Sequence, residues 1–167
     1  MAILAPKMAR GMGWQLIVAS SAHRVPKLER RKKLDELESQ IPLKSRARDF
    51  FKRKNLGKDL TTEEDVIIYG VSGVEYEVDF VLTSSQPSNC QRVAVLVRDY
   101  KGPAKVTNIH QAAHLQNDSR DIDRVLLVSN RISGPAKNLA KRSGIQTLSR
   151  EEIHAMYRHE GWDLAEK

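Results

Sequence analysis

Val93–Val97 (VAVLV) is an unbroken apolar run that ends directly in Arg98-Asp99-Tyr100-Lys101. A β-strand sends alternate side chains to opposite faces, so a strand with no polar alternate must be covered on both. That requirement places this run inside a sheet flanked by helices. The charges that follow put the strand's carboxyl end at a solvent-facing rim, where open α/β sheets bind their ligands.

The neighbouring segments supply the remaining elements. Asp65–Gly70 (DVIIYG) and Glu75–Leu82 (EYEVDFVL) read as strands joined by the turn VSGV. In the second, Tyr76, Val78, Phe80 and Leu82 are expected on one face and Glu75, Glu77 and Asp79 on the other. Arg124–Ser129 is a further buried strand, and Ile145–Leu148 a short one. Helices are expected over SRARDFFKRKNLG from Ser45 to Gly57, over 105–118 with Thr107 as cap, and from Ser133 to Gly144. A last helix opens on the capping box Ser149/Glu152. A hairpin followed by strand–helix alternation implies an α/β fold with a mixed sheet flanked by helices.

Residues 1–44 read as a basic extension, in which 27–40 (KLERRKKLDELESQ) forms a charged helix, and 45–167 as the α/β domain. Residues 1–60 hold 15 Lys and Arg against 6 Asp and Glu, whereas the remainder holds 13 against 15. Such asymmetry points to an anionic partner, with nucleic-acid phosphates first. The expected contacts are Arg30, Arg31, Lys32 and Lys33, then Lys52, Arg53 and Lys54, with Arg98 and Lys101 near the strand end. The basic tracts lack the broad apolar face that a membrane surface requires. No apolar run is long enough to span a bilayer, and Trp14–Ala22 is too short and glycine-flanked for a secretory signal. Cys90 is the only cysteine, which excludes an internal disulfide and any multi-cysteine zinc site. A cytoplasmic location is expected.

Chemistry has two candidate seats. Glu75, Glu77 and Asp79 project to one side of a strand, and like charges so close need an answering cation. Asp99 and Lys101 share one face of the strand end, Arg98 and Tyr100 the other. His110 and His114 are four apart on a helix, but without a third ligand they read as surface residues.

The combination Gly73-Val-Glu-Tyr-Glu77-Val-Asp79, then Val95-Leu96-Val97-Arg98-Asp99-Tyr100, then RVLLVSN and AKNLAKRSGI, resembles the PD-(D/E)xK nucleases. The likeness is to their Mrr-type and archaeal Holliday-junction-resolvase-like members and covers about residues 45–153. It implies a restriction-endonuclease-like fold, DNA as partner, a homodimer, and Mg2+ where cleavage is retained. Residue by residue, it makes Asp79 a metal ligand and Glu77 its acidic neighbour, with Asp49 near a further acidic position. Leu96 stands where a second acidic ligand belongs, and Arg98 where the catalytic lysine belongs. Leucine cannot bind a hard cation, and arginine keeps its proton. A D-x-K spacing survives at Asp99 and Lys101, displaced by three residues, so that a bulge could return Asp99 to the Asp79 side as a metal ligand with Lys101 assisting.

Three functions follow. The first is a DNA-binding protein on an endonuclease-like scaffold degenerate in catalysis. The second is an active Mg2+-dependent endonuclease working through Asp79, Asp99 and Lys101. The third is a catalytically dead protein-interaction module.

Overall fold

The computed structural model describes residues 40–55, 60–84 and 91–159. The charged segment before Gln40, with Arg30, Arg31, Lys32 and Lys33, lies outside them, as do Cys90, Gly57 and the side chain of Lys54. The chain divides into two units, Met1–Gln40 and Ile41–Lys167. All that follows concerns the second.

Its order is α1 (Leu43–Asn55), β1 (Leu60–Tyr69), β2 (Glu75–Ser84), β3 (Arg92–Arg98), α2 (Val106–Asp118), β4 (Arg124–Ser129), α3 (Gly134–Ser143), β5 (Gln146–Ser149) and α4 (Arg150–His159). The strands form one five-stranded sheet in sequence order. β1, β2 and β3 pair antiparallel, whereas β3, β4 and β5 pair parallel through the crossover helices α2 and α3. This is the mixed, helix-flanked sheet that the sequence implies.

Two hydrophobic layers cover the sheet. Ala94 and Leu96 of β3 pack with Ile109, Ala112 and Leu115 of α2 and with Ala136 and Ala140 of α3. Val95 and Val97 face the other way, onto Phe50 and Phe51 of α1 and Ile153 and Tyr157 of α4. The apolar β3 run is thus buried on both sides, and burying each of Val95, Leu96 and Val97 stabilises the fold by about 1.5–3 kcal/mol. Edge-to-face contacts of Phe51 with Phe80 (5.8 Å) and of Phe50 with Tyr157 (5.9 Å) tie α1 and α4 to the sheet.

The helix ends follow local rules in part. The Ser133 hydroxyl accepts the Ala136 N–H, and Gly144 ends α3 in the left-handed region at φ 68°. Ser149 and Glu152 form the expected box, with N–H···O distances of 2.6 and 3.2 Å. Two expectations are corrected. The N-cap of α2 is Lys105, not Thr107, because Asn108 Oδ1 accepts the Lys105 N–H at 2.9 Å. α1 starts at Leu43, ahead of Ser45, because its first N–H is satisfied from a distant part of the chain.

Candidate active site

The second strand does not keep one face. Tyr76 and Val78 pack on the α2 side, but Phe80 and Leu82 pack on the α1 side. The switch falls at Asp79. In the β1–β2 register Glu64 pairs with Phe80 and Val66 with Val78, so Asp65 and Asp79 are set opposite each other. Asp65 has φ +53°, the left-handed region that aspartate enters more readily than bulkier residues. The strained residue turns the hairpin there, and the period-2 pattern restarts out of phase.

The same position opens the sheet. β2 pairs with β3 only from Phe80↔Val95 to Thr83↔Arg92. Beyond Phe80 the strands fork. Asp79 Oδ2 accepts the Val97 N–H at 2.7 Å across the opening. Its other oxygen, Oδ1, meets Lys44 Nζ at 3.1 Å, and Arg98 Nη1 lies 3.9 Å from Oδ2. Lys44, from the first turn of α1, also bonds Asp65. The Asp65 hydrogen bond, with the hydrogen bond and charge of Asp79, raises the Lys44 ammonium above its ordinary value against partial desolvation. One ammonium thus bridges two facing carboxylates that would otherwise repel.

The other expected residues are distributed differently. Glu77 is exposed at the fork mouth. Asp99 lies just past β3, and both its carboxylate oxygens accept from protein groups. Its Oδ2 accepts the Leu43 N–H at 2.8 Å, capping α1, and its Oδ1 accepts from Asn130 Nδ2 at 2.7 Å with Arg150 Nη2 at 3.8 Å. Lys101 is exposed on the following bend and lines neither cavity of the fork. Lys52 pairs with Glu64 at 3.6 Å, and the Arg53 guanidinium lies 5.6 Å from the centre of the Tyr157 ring. With Arg48, which also binds Glu64 at 2.7 Å, these side chains are answered from β1 and α4. Asp49 is exposed and outside the fork. His114 Nδ1 meets the Tyr76 hydroxyl at 2.5 Å, whereas His110 is exposed.

These residues do not fit a catalytic divalent cation. Hard cations take several oxygens, and Mg2+ demands near-octahedral order around them. Asp79 already answers Lys44, Arg98 and a main-chain N–H, both Asp99 oxygens have protein donors, and Leu96 is a buried apolar residue. Among the described residues, no three His, Cys, Asp or Glu side chains gather as a metal-binding group.

Two cavities flank the fork, and Glu77 and Arg98 line both. One, of about 320 Å3, holds Lys44, Asp65 and Asp79. The other, of about 640 Å3, lies between β2, β3 and α2. Next to them is a basic rim. The loops after β3 and β4 are joined by an Ala104↔Ile132 bridge and a 2.8 Å bond from the Ala104 N–H to the Arg131 carbonyl. They present Lys101, Lys105 and Arg131 to solvent past the carboxyl ends of β3 and β4. Sequence reasoning missed Lys44, Asp65, Lys105 and Arg131. Asp65 had a signal: with hairpin pairing centred on Ser72, it falls opposite Asp79. Lys105 and Arg131 were visible as cations just past two buried strands.

Residues 45–157, well over half of the chain, match the family model described as restriction endonuclease (Mrr_cat). A search of curated proteins finds no match. Among solved structures, the chain is similar to a protein of unknown function, AF1548, at a TM-score of 0.55 and 17% identity, covering 75% of this chain and 67% of that one. It is also similar to protein VC1899 from Vibrio cholerae at a TM-score of 0.50 and 14% identity, covering 72% of this chain but only 32% of that one. At these identities the likeness concerns the fold.

Proposed function

The chain belongs to the restriction endonuclease family, and on that premise we propose that it is a DNA-binding domain whose phosphodiester-cleaving centre has been replaced by an internal ion-pair cluster. The observation that carries this reading is the Lys44 ammonium, held by both Asp65 and Asp79 with Arg98 beside them. In a metal-dependent nuclease a cation organises the phosphate oxygens and generates hydroxide. Here fixed side-chain cations answer Asp79. They balance its charge without offering open coordination positions or an ionisable bound water.

Binding needs no metal. Lys101, Lys105 and Arg131 stand exposed past the carboxyl ends of β3 and β4, where an open α/β sheet receives ligands. Each cation placed on a phosphate releases condensed counterions, which drives association without reading sequence. Lys52 and Arg53 contribute less in this reading, because Glu64 and Tyr157 already engage them.

Fluorescence anisotropy with a labelled DNA duplex in EDTA, over a salt series, tests this. Affinity is expected to fall linearly on a log–log plot. The combined Lys101→Ala, Lys105→Ala and Arg131→Ala variant is expected to lower the slope by about 3, near 0.9 per contact. Binding that is insensitive to salt, or to the triple variant, would leave the scaffold as an interaction module for other partners.

A further inference from the structure

We infer that the larger cavity of the fork receives one unpaired nucleobase from the bound strand. This inference rests on the DNA-binding reading and names a second site within it. The cavity of about 640 Å3 is lined by exposed Val74 and half-buried Tyr76 as apolar and aromatic walls, above the buried Leu96 and Leu115. Its size falls in the range of small-molecule sites, which combine apolar walls with a few placed polar groups. Around it stand Gln111, His114, Glu75 and Glu77, which together offer donors and acceptors.

That mixture matches a base, which has two apolar faces and a polar edge, and not a phosphate. Two carboxylates at the mouth repel phosphate and accept from ring or exocyclic N–H groups, as Glu does from the cytosine amine. Arg98 lines this cavity and is the last residue of β3, directly before the loop that carries Lys101, so a strand held by that loop runs close to the cavity. The forking of β2 from β3 past Phe80 creates the space. Leucine at position 96 gives it an apolar lining where a carboxylate would have made it polar. A base paired in a duplex cannot enter, because it must first leave its stack.

The experiment uses the full chain and three duplexes of equal length: fully paired, with one extra unpaired cytosine, and with an abasic site in place of that cytosine. The unpaired cytosine is expected to tighten binding about tenfold over the abasic duplex, within the range for one base stacked on a protein. Gln111→Trp, an exposed helix position that fills the cavity mouth, is expected to abolish that difference while keeping the affinity for paired duplex. Glu75→Gln, also exposed, is expected to reduce it. Equal affinity for all three duplexes with a steep salt dependence overturns the base site and leaves the DNA-binding reading standing. A preference for unpaired cytosine that survives Gln111→Trp also overturns it. No salt-dependent binding of any duplex overturns both.

Discussion

Asp65 and Asp79 face each other across the β1–β2 pair, and the ammonium of Lys44 bridges them. Neither the strained backbone of Asp65 nor the facing carboxylates are favourable alone. Together with Lys44 they tie α1 to the hairpin at the point where the sheet forks.

Lys44→Gln removes the cation and leaves the two carboxylates opposed. The variant is expected to lose about 1 kcal/mol, as partly exposed pairs do, measured by urea unfolding. Because the folded-state pKa of Lys44 is raised, its contribution is complete below the ordinary value of 10.5 and is lost as pH rises through the raised value. The variant is also expected to gain a rise in Tm with Mn2+ that the parent lacks. A parent that Mn2+ already stabilises would show that Lys44 does not occupy a cation's place.

Asp99→Ala removes the acceptor that caps α1 from outside the helix. A cost of about 1–2 kcal/mol is expected, typical of a lost cap, with Asp99→Asn milder because one acceptor oxygen remains. DNA affinity at low temperature should be unchanged. A large loss of affinity without a loss of stability would return Asp99 to the binding site.

Gly70→Ala tests the seam between the hairpin and α2. An added Cβ would lie 2.0 Å from Asp118 Oδ2 and 2.9 Å from a Tyr76 ring carbon. Neither neighbour moves freely, since the Ser72 N–H and the Tyr76 hydroxyl both donate to Asp118, at 2.9 and 2.8 Å. Chemical denaturation should show a loss of about 1–3 kcal/mol, the usual cost of overpacking. A neutral result would mean that this seam is loose.

The same seam sets a pH response. Hydrogen bonds from Ser72, then from Tyr76, hold the Asp118 carboxyl below its ordinary value of 3.8, with His114 adding charge. A folded-state pKa below the unfolded one gives stability that is present above pH 3.8 and lost as pH falls through the lowered value. Tm measured from pH 6 to pH 2 should fall less steeply in Asp118→Asn than in the parent. Parallel curves would remove Asp118 from the acid limb.

The layered fold was legible because strong local signals agreed with it. VAVLV demanded cover on both faces, Gly144 and Ser133 bounded α3, and Ser149/Glu152 opened α4. Asp79 and Arg98 were recognisable as neighbours because both sit where β2 and β3 approach the rim. What sequence hid was set by tertiary contact. Period-2 alternation cannot show that a left-handed Asp65 will shift Val78 and Phe80 to opposite faces. The D-x-K spacing of Asp99 and Lys101 looked chemical, yet the Leu43 N–H claims the aspartate from another element. Lys44 was passed over because nothing near it in the chain foretells a partner on β1.

Nicking of supercoiled plasmid in Mg2+ and in Mn2+ by the parent and by Asp79→Ala is the decisive comparison. With Lys44 and Arg98 answering Asp79, the two proteins are expected to show the same background with either metal. Nicking by the parent that requires Mn2+ or Mg2+ and disappears in Asp79→Ala would contradict the account.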